Sequence, residues 1–136
     1  MKREIELSIK SEQFYGHDNS DIMEHKGSGK LYRKRSKYFI IYEDENFKKT
    51  SLRIIPGENK VIIHRQEPEL KQIFIVNNKT KGKYVTPYGV FKLGICTSNL
   101  DIVIGKEKGI IKIKYDLYMN GHYTSKNYLS ISWDIL

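Results

Sequence analysis

Cysteine occurs once, at Cys96, so no disulfide can form within the chain. A lone thiol suits a reducing compartment, and the cytoplasm is the expected location. No apolar run approaches the roughly 20 residues that a membrane-spanning helix needs. The opening MKREIELSIK alternates charged and apolar side chains where a signal peptide would carry an apolar block, so it reads as a strand. No stretch holds an apolar period of 3.6 residues, which leaves no helix of useful length. Chemical motifs are equally scarce. His17, His25, His64 and His122 never stand two or four residues apart, so the sequence holds no local metal pair, and only convergence of distant histidines in the fold would make one. KGSGK at 26–30 leads into more strand, where a phosphate loop requires a helix. No nucleophile elbow surrounds any serine, and nothing adjacent in sequence activates Cys96. Glu43, Asp44 and Glu45 crowd one acidic turn and read as solvated. Catalysis, a metal and a cofactor are therefore not expected.

What the chain does have is a period of two. From 84 to 121 it reads YVTPYGVFKLGICTSNLDIVIGKEKGIIKIKYDLYMNG, two long strands and their turn. Ile111, Ile113, Tyr115, Leu117 and Met119 share one face, with Lys112, Lys114 and Asp116 on the other, the mark of a half-buried strand. Similar alternation places strands at about 3–14, 21–33, 37–43, 50–55, 60–65, 71–76 and 82–86. Two more run from 89 to 104 and, after Asn120-Gly121, to the chain's end. Asn-Gly is the strongest hairpin signal present, because both central positions of a type I′ turn need positive φ. Within the 89–104 strand the apolar phase slips, from Phe91, Leu93, Ile95 and Thr97 to Leu100, Ile102 and Ile104. That slip predicts a bulge near Ser98-Asn99. Gly27 and Gly29 predict a bulge or sharp bend in the second strand. Tyr123, Leu129, Ile131, Trp133 and Ile135 fall in one phase of the last strand.

At 136 residues the expectation is one domain, 1–136. About ten strands joined by short turns predict an all-β, antiparallel, closed or nearly closed barrel of 8–10 strands, with a two-sheet sandwich as the alternative. The net charge of +8 suits polyanionic partners. The abundance of Lys, Ile, Asn and Tyr is also what AT-rich coding produces.

Arg65, Gln72-Ile73-Phe74, Tyr84-Val85-Thr86-Pro87-Tyr88-Gly89, Thr97, Gly109 and Tyr115-Asp116-Leu117 form a spaced pattern that resembles the YwiB-like family. These are uncharacterised bacterial proteins. The resemblance implies a calycin-type, lipocalin-like barrel and implies no activity. Many relatives place a glycine soon after the arginine; here Gln66-Glu67-Pro68 follows it.

Two candidate sites emerge. Arg65 shares parity with Val61 and Ile63, which points it inward. With Gln72, Tyr84 and Thr97 it could grip a ligand carboxylate or phosphate, or the same groups could satisfy one another and cap the barrel end. His64 shares parity with Ile62, so that strand is apolar both ways. The second candidate is Lys30, Tyr32, Arg33, Lys34 and Arg35, basic and aromatic together, suited to weak binding of single-stranded nucleic acid. Solvation of a turn and protection of a strand edge are the plainer accounts. The first functional reading is non-catalytic binding of a small apolar or anionic ligand. The alternative is a macromolecular interaction module for RNA, DNA or a protein, with no membrane role. Large inward residues such as Phe91, Leu93 and Trp133 favour a small or shallow site.

Overall fold

A computed structural model describes residues 2–16, 19–43 and 49–136. The strands are β1 (Lys2–Phe14), β2 (Ser20–Lys34), β3 (Lys37–Tyr42), β4 (Lys49–Ile55) and β5 (Lys60–Gln66), then β6 (Leu70–Ile75), β7 (Lys79–Thr86), β8 (Gly89–Ile104), β9 (Lys108–Met119) and β10 (His122–Ile135). The only helical element among the described residues is a 3₁₀ turn, Pro56–Glu58. Each strand pairs antiparallel with its sequence neighbour, and β1 pairs with β10, which closes a ten-stranded barrel. Closure removes the edges that would otherwise invite further strands. The strands form one continuous wall and not the two packed sheets of a sandwich. His17, Asp18 and the acidic-turn residues Asp44 and Glu45 lie outside the described residues.

The alternation read from the sequence is the alternation of the wall. Ile5, Leu7, Ile40, Leu52, Ile54, Val61, Ile63, Phe74, Ile111, Ile113, Ile131 and Trp133 point inward and are buried. Lys10, Lys30, Lys112 and Lys114 alternate with them and are exposed. Trp133 pairs across the ladder with Gly109, where its indole takes the space a side chain would occupy.

Register settles three local expectations. The β8–β9 ladder shifts between Thr97 and Asn99, so the bulge falls where the phase slip put it. Asn120 and Gly121 both have positive φ, 50° and 84°, as the hairpin requires. The paired glycines, by contrast, make no bulge in the β1–β2 ladder, which runs unbroken from Phe14↔Ser20 to Lys2↔Tyr32. They make room instead: the His25 ring folds over Gly27, and Gly29 lies against Ile5 and Tyr42. A second bulge, between Tyr123 and Ser125, was not read from the sequence. It turns Tyr123 outward, 56% exposed, although its parity matches that of Trp133.

The two ends of the barrel differ. Strand starts and ends place the 35–36, 56–59, 76–78 and 105–107 turns at one end, and there the interior is filled by Trp133, Phe74 and isoleucines. The 67–69, 87–88 and 120–121 turns ring the other end, where the interior is open.

Candidate functional site

The open end encloses a cavity of about 610 Å³. Its wall is built from the outer halves of the strands, and alternation decides which side chains reach it. Arg65 enters from β5 two residues beyond Ile63, Gln72 from β6 two before Phe74, Tyr84 from β7 and Tyr115 from β9 two beyond Ile113. Ser11, Gln13, His25, Thr124 and Ser125 add polar atoms, and Leu93, Leu117 and Met119 supply an apolar side. The phase of β5 is thus resolved: Arg65 faces in, and His64 faces out to meet Glu69 at 3.1 Å.

Tyr115 ties the polar groups together. Burial pushes its hydroxyl above the ordinary phenol value, while a side-chain hydrogen bond with Gln72 and the positive charge of Arg65 pull it down. A guanidinium, an amide and a neutral phenol therefore converge on one point of the wall. Guanidinium and amide N–H groups and a phenol O–H are all donors, the complement of an anionic oxygen. The Tyr115 ring is itself held edge-on by Phe74, with centroids 4.8 Å apart. On the facing wall the His25 ring lies 5.4 Å from that of Tyr42. His25 Nε2 is buried with no hydrogen-bond partner among the described residues. Asn127 and Ser125, fully buried, bond each other, Nδ2 to Oγ at 3.0 Å.

Of the four side chains expected to grip a ligand, Arg65, Gln72 and Tyr84 line the cavity. Thr97 does not line it. It is buried beside Tyr115, its direct partner in the β8–β9 ladder, on the same inner face of the wall. Tyr115 and His25 were missed as site residues. Tyr115 has the signature of a core strand residue, and only the long-range placement of β5 and β6 gives its hydroxyl a role. His25 carried no signal beyond its parity with the two glycines.

The basic stretch is split by the fold. Lys30 and Tyr32 face outward on β2. Arg33 turns to the other face, lies 5.6 Å over the Tyr38 ring and donates from Nε to the Arg35 carbonyl at 3.2 Å. Lys34 ends the strand, and Arg35, at φ 59°, forms the exposed turn. No group of three or more His, Cys, Asp or Glu that could hold a metal occurs among the described residues. No helix among them is long and apolar enough to cross a membrane.

Comparison with known proteins agrees with the architecture. Residues 7–131 match the family described as "Domain of unknown function (DUF1934)". The chain is 24% identical over 137 residues to the "Uncharacterized beta-barrel protein YwiB" of Bacillus subtilis, covering 98% of this chain and 96% of that one. The crystal structure of the YwiB protein from Bacillus subtilis superposes with a TM-score of 0.84, covering 99% of this chain and 93% of that one at 24% identity. At that identity the structural likeness establishes the fold alone.

Proposed function

This chain belongs to the DUF1934 family, whose description assigns no activity, and from its cavity we propose a non-catalytic barrel that binds a small, partly apolar anion. The observation that carries the reading is the convergence of Arg65, Gln72, Tyr84 and Tyr115 on a cavity of about 610 Å³. Pockets that hold small organic molecules span about 300–1,000 Å³ and pair an apolar wall with a few placed polar groups. The head group, a carboxylate or phosphate, meets the guanidinium fork, the Gln72 amide and the phenols. The apolar part lies along Leu93, Leu117 and Met119. The calycin-like reading belongs with this one, because up-and-down barrels of this size use an open end to hold a ligand; the warrant is fold-level analogy. A cytoplasmic location accompanies it, supported by the lone thiol and by lysines on the wall's outer face. A membrane-spanning barrel has the opposite polarity, apolar outside and polar within.

Thermal-shift screening of fatty acids, nucleotides and acyl phosphates against the wild type and Arg65→Met tests the proposal. A bound anion raises the melting temperature of the wild type by mass action on the folded state and leaves the variant unmoved. Equal shifts in both proteins, or none in either with every anion class, overturn it.

A further inference from the structure

A second surface stands apart from the cavity, on the outside of the wall. Strands β3–β7 contain nine Lys or Arg residues and no Asp or Glu. Among the described residues between 25 and 100 the acidic ones, Glu43, Glu58, Glu67 and Glu69, lie in the connections between strands. Of the nine cations, Arg65 points inward to the cavity; the outer face is left with a predominantly positive field, in which Glu69 is held by Lys83 and His64.

Register aligns aromatic rings with that field. Lys2 pairs with Tyr32, Tyr32 with Phe39, Phe39 with Arg53 and Arg53 with Ile62, so these five form one row across β1–β5. All five alternate with inward-facing neighbours and therefore look outward. Tyr32, Phe39 and Ile62 are half-buried, and Lys2 and Arg53 are exposed. The Arg53 guanidinium lies 5.5 Å from the Phe39 ring centroid. The adjacent row carries Glu4, Lys30, Ile41, Ser51 and His64, paired in that order, with its one carboxylate at the β1 end. Neighbouring strands are about 4.8 Å apart, so Tyr32 and Phe39 present contiguous ring area with cations on either side of the pair.

We propose that this outer face binds a single-stranded polynucleotide, its bases stacking on Tyr32 and Phe39 and its phosphates meeting Lys2, Lys30 and Arg53. Charge complementarity selects a polyanion. The aromatic row selects one with exposed planar faces, since a duplex hides its base faces within the stack. A guanidinium already seated on a ring offers a second stacking plane for a base. The site uses Lys30 and Tyr32 from the basic stretch and adds Phe39 and Arg53 from the neighbouring strands. Arg33, Lys34 and Arg35 have no part in it.

Fluorescence anisotropy with labelled 15-residue oligo-U and oligo-dT tests the inference. The wild type binds both strands more tightly than a duplex of equal length, and its affinity falls steeply between about 50 and 200 mM salt. Phe39→Leu, which keeps the apolar contact and removes the stacking ring, weakens binding about tenfold. Arg53→Gln lowers the salt slope by about one. Lys112→Gln, on the far wall, leaves the effect of the Phe39 ring unchanged. Melting curves report whether each variant folds, and Tyr32→Leu carries the same test if Phe39→Leu does not. Equal affinity for the duplex, equal competition by polyglutamate, or full affinity in Phe39→Leu and Tyr32→Leu overturns the proposal.

Discussion

A methyl group built on Gly109 would stand 2.2 Å from Cζ2 of Trp133. The glycine is therefore the floor on which the chain's one tryptophan rests. Gly109→Ala should cost about 1–3 kcal/mol, the usual range for overpacking a filled core. Trp133→Ala, at a position only 2% exposed, should cost about 3–5 kcal/mol. The two should not add: in the Trp133→Ala background the extra methyl meets empty space, and urea titration of the double mutant should show nearly the single-mutant loss of Trp133→Ala. Tyr115 gives a residue-scale prediction in pH. Its folded value is raised above the ordinary phenol value of 10.0 by burial. Stability from the neutral phenol is therefore complete below that value and lost as pH rises through the higher folded one. Alkaline unfolding of the wild type should be steeper than that of Tyr115→Phe, and equal profiles would remove Tyr115 from the buried polar group. Trp133 and Tyr115 were both legible as inward residues, because each follows the parity of β-branched neighbours. That Tyr115 also meets Arg65 and Gln72 was not, because the three belong to strands far apart in sequence.

Among the elements, β8 and β10 show how far parity carries. In β8 the slip is visible because large apolar residues lie on both sides of Ser98, so the two phases contradict each other. In β10 the residues after the bulge are Ser125 and Asn127, polar though fully buried, and nothing apolar contradicts the parity of Tyr123. The β6–β7 pairing is shorter, with register only at Leu70↔Tyr84 and Lys71↔Lys83. Two features hold it. A methyl on Gly82 would stand 2.1 Å from the Lys71 carbonyl oxygen, so Gly82→Ala should separate the strands and lower the melting temperature by several degrees or more. Outside, Glu69 accepts from Lys83 at 2.8 Å and meets His64 at 3.1 Å. The Lys83 hydrogen bond, followed by that of His64, holds the Glu69 carboxyl below its ordinary value of 4.5. A depressed carboxyl stabilises fully above the unfolded value, and the contribution disappears as pH falls through the lower folded one. Glu69→Gln should therefore differ from the wild type at neutral pH and converge with it in acid. The difference is small, because all three groups are solvated and screened.

For the whole molecule, closure joins strands from opposite ends of the sequence, with Ile5 against Ile135. Strand number, order and antiparallel sense were legible, since every neighbour in the sheet but this pair is a neighbour in sequence. Cavity volume was not, because it is the space left over once distant strands have met. The large inward residues argued for a small or shallow site; they fill one end, and Leu93, Leu117 and Tyr115 line the open one. Hydrogen exchange should report that difference: amides around Ile5, Ile111 and Ile131 should be protected by nearly the global unfolding energy, and those of β2 near His25 should exchange through smaller openings. Uniform protection along β1 and β2 would contradict it. The unequal filling also divides the labour of the chain in evolutionary terms. Side chains that secure the fold sit at one end, and Arg65, Gln72, Tyr84 and His25 sit at the other. A lineage could rewrite the second set, and with it the molecule carried, while drawing little on the stability stored in the first.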